Sequence, residues 1–278
     1  MTERVIGKLR SSSYLRFINW VGSEDGHKEC VHIAAFTHPK HGQCEAFVKL
    51  YPAEHGVNRG LVNEITAYLC AHALNLPQPK SAFLANIPLT HLRRMPPWLR
   101  QAALHHPEMP AFCTLRLDGS SAAVLVPQEE LSTVREDVAA WDDLPHAIAL
   151  DENIANSDRH LNNLIRLGRK KYALIDGGRL AHTLERPHWN NRTLDPAHLY
   201  RNRLSEHVWQ HNPTEHDLSL MRCRALEHPS ALSSVLPELD YWWQHLLPEA
   251  DHRTFRDFLQ RRAYDLTALL AKRYHRLT

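Results

Sequence analysis

Three polar residues stand at spacings suited to phosphoryl-transfer chemistry: Asp158, Asn163 five positions later, and Asp176 thirteen beyond that. Two residues of opposite charge precede them, Lys49 in the apolar run Phe47-Val48-Lys49-Leu50 and Glu64 fifteen positions on. Moving a phosphoryl group from ATP requires a cation over the phosphates and a carboxylate to orient it. It also requires a group facing the attacking hydroxyl and oxygen ligands for magnesium. Lys49, Glu64, Asp158 and the pair Asn163 and Asp176 supply one candidate for each need. Taken singly, each has a plainer account. Lys49 reads equally as a solvated lysine on an edge strand, Asn156-Ser157-Asp158 as an Asx turn or helix cap, and Asp176-Gly177-Gly178 as a β-turn. Their joint order, after an apolar helix and on both sides of a hairpin, favours the chemical account.

The elements that must position these residues follow from periodicity. β-rich runs at 14–21, 31–36 and 46–50, separated by polar turns, predict an antiparallel meander. Leu61, Ile65, Tyr68, Leu69 and Leu74 recur at helical spacing until Pro77 and Pro79. Residues 88–110, rich in Pro, His and Arg, read as an irregular insertion, helical or loop-like. A last strand over 112–117 precedes a turn at 118–121 that would serve as a hinge. Val134, Val138, Trp141, Ile148 and Ile154 predict helices leading to the polar cluster at 156–160. The runs 164–167 and 172–175 flank Gly168-Arg169-Lys170 as a hairpin. Phe255, Phe258, Leu259, Leu266, Leu269, Leu270 and Tyr274 form the stripe of a C-terminal helix.

Composition narrows the function classes. With 43% hydrophobic and 23% charged residues in 278, the chain can bury a sizeable core and is not disordered. Lys and Arg number 33 against 31 acids, too even a balance for a dedicated nucleic-acid binder. The groups Arg93-Arg94, Arg100, Arg169-Lys170-Lys171 and Arg261-Arg262 read as solvated faces, able together to attract an acidic substrate or RNA. Five dispersed cysteines without a CxxC pair predict reduced, mostly buried thiols. His207, His211 and His216 have a spacing that can bind zinc, but in a chain with 21 His chance explains it, and no structural metal is expected. No apolar stretch has signal-peptide or membrane-spanning character, so a cytoplasmic protein without membrane partners is expected.

The stretches FVKLYP, VNEITAYLCAHALNLPQPK, IANSDRHLNNLIR and YALIDGG resemble the HipA-like kinases, above all their compact single-domain members, relatives of phosphatidylinositol kinases and protein kinases. The pattern N-x-D-R-H-x-x-N followed by a strand ending I-D-x-G is matched by Asn156, Asp158, Arg159, His160, Asn163, Asp176 and Gly178, and the likeness covers about residues 20–180. It implies an α+β, bilobal protein-kinase-like fold, with a small antiparallel β-lobe carrying one helix (1–117) and a mainly helical large lobe (118–278). It also implies ATP and magnesium as cofactors. Lys49 would hold ATP phosphates and pair with Glu64, Asp158 would be the catalytic aspartate, and Asn163 and Asp176 would bind the metal. Asp158 is expected to face the cleft without a tight salt bridge to Lys49, free to accept the acceptor hydroxyl's proton, with Arg159 clamping a carboxylate and His160 a carbonyl to brace the loop. The implied activity is phosphorylation of Ser or Thr on a protein substrate, in part of the family as a toxin with a cognate antitoxin or regulator. Alternatives are a lipid or small-molecule kinase and a catalytically inactive kinase-fold binding module. The glycine-rich loop is poor, VGSEDG at 21–26 being the best candidate, and its two acids would sit badly beside a triphosphate.

Overall fold

A computed structural model describes residues 4–21, 30–53, 55–123, 127, 130–182, 188–209 and 213–274. Of the candidate glycine loop only Val21 falls within them; residues 22–26, like His211, lie outside the described residues. The protein combines a six-stranded and a three-stranded sheet with helices, an α+β architecture. The chain divides into two compact units, Met1–Leu61 with Pro79–Leu117 and Val62–Gln78 with Asp118–Thr278.

In the first unit β2 (Tyr14–Trp20), β3 (Cys30–His38) and β4 (Gly42–Leu50) form the expected antiparallel meander. Gly42 closes the β3–β4 turn at φ +64, a left-handed conformation that suits glycine. β4 then pairs with β6 (Glu108–Leu115), β6 with β5 (Ala82–Pro88), and β5 with β1 (Ile6–Leu9). The last pair is parallel, so the sheet is mixed and corrects the expectation of a purely antiparallel lobe. β5 escapes period-two reading because its first four residues are all buried, leaving a continuous apolar run. β6 starts four residues before the expected strand and contains Pro110. That proline pairs with Asn86 of β5 at a point where the β4 register, which stops at Phe112, leaves the other side of the strand unpartnered. The insertion at 88–110 thus resolves into strand ends around one short helix, α2 (Pro97–Ala103). One sheet face carries the core, with Phe36, Val48, Leu50, Phe83 and Cys113 buried together with Leu99 of α2.

α1 (Arg59–Ala73) crosses the division, and Val62–Gln78 belongs to the second unit. The reason is polar. Buried Asn63, Glu64 and Thr66 find partners there at Gly178, Gly177 and Trp243. α1 ends before the prolines that were expected to stop it. Asn75 takes φ +54, its N–H bonds to the His72 carbonyl, and Leu76 N–H reaches back to Ala71, which is a Schellman motif. The rest of the second unit comprises α3 (Leu131–Ala139), α4 (Leu144–Asn153), the antiparallel strands β7 (Ser120–Ser121), β8 (Leu164–Gly168) and β9 (Lys171–Leu174), and α5 (Arg203–Trp209), α6 (Glu215–Ala225), α7 (His228–Leu246) and α8 (Glu249–Tyr274). The α8 stripe is buried from Phe255 to Leu270, and Trp189 stacks on Phe255 with ring centroids 4.3 Å apart. Among the described residues no helix is long and apolar enough to cross a membrane. All five cysteines are free thiols, with Cys30, Cys70 and Cys113 buried.

Candidate active site

Every residue of α4 is buried, and the helix delivers the chain into the loop that carries Asp158. Asn156 pairs with Leu180 in an isolated antiparallel bridge, its Nδ2 donates to Asp151 Oδ1 at 3.0 Å, and its Oδ1 accepts the Asp158 N–H at 3.3 Å. Arg159 Nε donates to both Asp151 oxygens at 2.9 and 2.8 Å, while Nη1 donates to the Ile175 carbonyl at 2.6 Å. One buried guanidinium therefore ties α4, the loop and the residue before Asp176, as the arginine clamp was expected to do. Burial lifts the Asp151 carboxyl to about 6, against the opposing pull of Arg159 and Asn156. His160 departs from expectation, since its Nδ1 accepts the Asn162 N–H at 3.2 Å rather than holding a carbonyl.

Asn163 closes a 3-10 turn (Leu161–Asn163), and its Nδ2 donates to the Asp158 carbonyl at 3.0 Å. Its own carbonyl accepts the Ile175 N–H at 3.1 Å, which brings Asp176 beside it in the chain path. Asp176 adopts φ +63, a left-handed conformation that aspartate tolerates better than most residues. Gly177 N–H donates to Glu64 Oε2 at 3.1 Å, and a Cβ at Gly177 would lie 2.2 Å from that of Ala67. Only glycine allows this approach of turn to helix. Next along, the Gly178 carbonyl accepts from Asn63 Nδ2 at 2.8 Å, and Asn63 Oδ1 accepts Trp189 Nε1 at 2.8 Å. Two adjacent residues of α1 thus fasten the turn that follows β9. Glu64 thereby has a partner, Gly177, that the sequence reading did not name.

The Asp158 carboxylate has two arginine partners that the sequence expectation, framed against Lys49 alone, did not name. Arg203 Nη1 donates to Oδ1 at 2.5 Å and Arg179 Nη1 lies 3.2 Å from Oδ2, with the Asp158 side chain 20% exposed. Two guanidinia drawn to one carboxylate is ordinary charge complementarity. Sequence reasoning missed both because nothing in linear spacing links position 158 to 179 or 203.

It also took Arg261-Arg262 for a solvated face, whereas Arg262 is fully buried. Arg262 donates from Nε to the Asn153 carbonyl at 2.9 Å and from Nη1 to the carbonyls of Pro196 and His198 at 3.0 and 2.9 Å. Its Nη2 bonds the Glu152 carbonyl, while Arg273 Nε donates to Glu152 Oε2 at 2.6 Å. α8 thereby holds the end of α4 from which the candidate loop departs. The only forewarning in sequence is an arginine within the apolar stripe of α8.

Lys49 belongs to the first unit, in β4, with Val31 and Phe112 as neighbours across the sheet on the face opposite Val48 and Leu50. β4 lies between β6 and β3, so the edge-strand account of Lys49 does not hold. Glu64, Asp158, Asn163 and Asp176 belong to the second unit. Of the two residues expected to bind magnesium, Asn163 has its Nδ2 bonded to the Asp158 carbonyl, so its side-chain oxygen is the atom able to ligate. Among the described residues no group of three His, Cys, Asp or Glu side chains is arranged to hold a metal. Magnesium, which keeps several waters and takes one or two protein oxygens, does not require such a group. No family model matches the chain, and no curated protein matches it significantly.

Proposed function

We propose that the protein is an ATP- and magnesium-dependent phosphotransferase of the HipA-like kinase class, bilobal and kinase-like in fold, acting on a Ser or Thr hydroxyl. One observation carries the reading: Asn163 bonds the Asp158 carbonyl through its side chain and the Ile175 N–H through its carbonyl. Asp158 and Asn163 are thereby bonded directly, and Asp176 follows the residue bonded to Asn163, all within one unit. Asp158 would accept the proton of the acceptor hydroxyl as its oxygen bonds the γ-phosphorus and the bond from that phosphorus to the ADP oxygen breaks. Positioning and charge stabilisation account for most of such a reaction. Asn163 and Asp176 would hold magnesium, which neutralises phosphate charge when bound. Lys49 would draw the ATP phosphates by its charge, and Glu64 would keep the Asp176-Gly177 turn in place.

ATP with magnesium is titrated calorimetrically into the wild type and Asp176→Asn, and γ-labelled ATP is then incubated with protein and lysate. The reading expects binding that Asp176→Asn weakens, and label on protein bands. Label on lipid or small molecules would replace the acceptor class, and absence of binding at millimolar ATP would remove the enzyme. A second reading, a kinase-fold binding module without catalysis, is favoured by the two arginines already seated on Asp158.

A further inference from the structure

The arginines on Asp158 belong to a wider cationic cluster. Arg203 and His207 come from α5, against which α3 packs with Arg135, and Arg179 follows β9. Burial, and then the field of Arg203, Arg135, His160 and Arg201, disfavours a charged His207. Among the described residues, Arg203 Nε, Arg135 Nε and His207 Nε2 are buried nitrogens that meet no hydrogen-bond partner. Two arginines therefore sit on one carboxylate, and one of them, Arg203, keeps a buried Nε without an acceptor. Desolvated donors without acceptors are costly unless a ligand supplies the acceptors.

We propose that Arg203 and Arg179 form the receptor for an anionic group, carboxylate or phosphate, that flanks the acceptor hydroxyl. This rests on the phosphotransfer reading and names its acceptor class: an acidic Ser or Thr segment. Both arginines are 30–40% exposed at their side chains, so a ligand can reach them. When the substrate anion takes the guanidinia, the Asp158 carboxylate is released to face the hydroxyl. The ion pairs with Arg203 and Arg179 then hold the aspartate back, and the acceptor's own charge switches it on. Guanidinium suits the task, because its planar fork binds carboxylate and phosphate oxygens in pairs.

Inorganic phosphate serves as the probe, titrated into the full chain by phosphorus NMR, with and without a saturating non-hydrolysable ATP analogue and magnesium. Phosphate should bind in both conditions. Arg203→Met should weaken it by about tenfold or more, the loss of one or two charge-assisted hydrogen bonds. Asp158→Asn should tighten it, since the competing carboxylate is gone, and Arg100→Gln, an exposed arginine of the first unit, should change nothing. If Arg203→Met does not fold, Arg203→Lys, which keeps the charge and loses the fork, should weaken binding by a smaller factor. Paired Ser peptides with and without neighbouring Asp then test the acceptor, the acidic one being phosphorylated faster by wild type and this preference lost in Arg203→Lys. The proposal is overturned if phosphate does not bind, if Asp158→Asn leaves its affinity unchanged, if the ATP analogue displaces it, or if the peptides react alike. A chain that binds phosphate but not the ATP analogue would instead overturn the kinase reading and leave the anion receptor standing.

Discussion

The two units position their residues by opposite means. In the first, β4 alternates buried Ala46, Val48 and Leu50 with half-buried Phe47 and Lys49, and apolar packing on one sheet face holds the buried set. In the second, the loop bearing Asp158 is held by buried polar groups: Asp151 with Arg159, Glu152 with Arg262 and Arg273, and Asn63 with Gly178 and Trp189. Apolar contacts tolerate small shifts, whereas hydrogen bonds fix distance and direction. A site that must hold a carboxylate and metal ligands in register gains from the second kind. The difference also means that each unit breaks in its own way.

The largest effect is expected at the Asp151–Arg159 pair. Arg159→Met leaves a buried carboxylate uncompensated and should cost about 3–5 kcal/mol in urea unfolding. Adding Asp151→Leu should recover most of that stability, because an apolar pair of similar size can replace a buried ion pair. Phosphotransfer should stay lost, since the bond to the Ile175 carbonyl is gone. If the double variant were as active as wild type, polar fastening of the loop would have no functional meaning. Leu50→Ala in the first unit should cost about 2–5 kcal/mol through its cavity. No polar second change should rescue it.

Gly177→Ala comes next. Its Cβ would overlap Ala67, so about 1–3 kcal/mol of destabilisation is expected, with weaker magnesium-dependent ATP binding as the turn is pushed from α1. Unchanged stability and binding would mean that the turn is not held against the helix.

Acidification acts gradually, through the slope of stability against pH. His32 in the first unit and His228 in the second are buried, and burial lowers each imidazole to about 3. Between about pH 6.5 and 3 the unfolded chain takes up protons that the folded chain refuses. Each histidine therefore removes about 1.4 kcal/mol of stability per pH unit as pH falls through that window. Asp151 acts the other way. Raised to about 6 in the fold, its contribution is full below pH 4 and lost as pH rises through 6. Unfolding midpoints between pH 7.5 and 5 should show a flatter profile for His228→Gln than for wild type, and an unaltered slope would contradict the assignment.

How far each region is legible in sequence follows from the same physics. The β3–β4 hairpin, α1, the Gly168 turn and the α8 stripe announce themselves through period and turn chemistry, which are local. β5 does not, because burial on both faces erases alternation. The chain order of Lys49, Glu64, Asp158, Asn163 and Asp176 is visible, as is the arginine of the clamp. The partners of Arg203, Arg262 and Arg273 are not, because an arginine far from its acceptor in sequence looks the same whether it faces water or a buried glutamate. Only tertiary structure reveals the two guanidinium partners of Asp158.

The most direct measurement is transfer of the γ-phosphoryl group from labelled ATP to acceptor by wild type and Asp158→Asn, each first shown to be folded by circular dichroism and thermal unfolding. The account predicts transfer by wild type and a rate lower by about 10² to 10⁴ in the variant, with ATP binding retained. Equal rates in the two folded proteins, or no transfer by wild type to any acceptor, would contradict it.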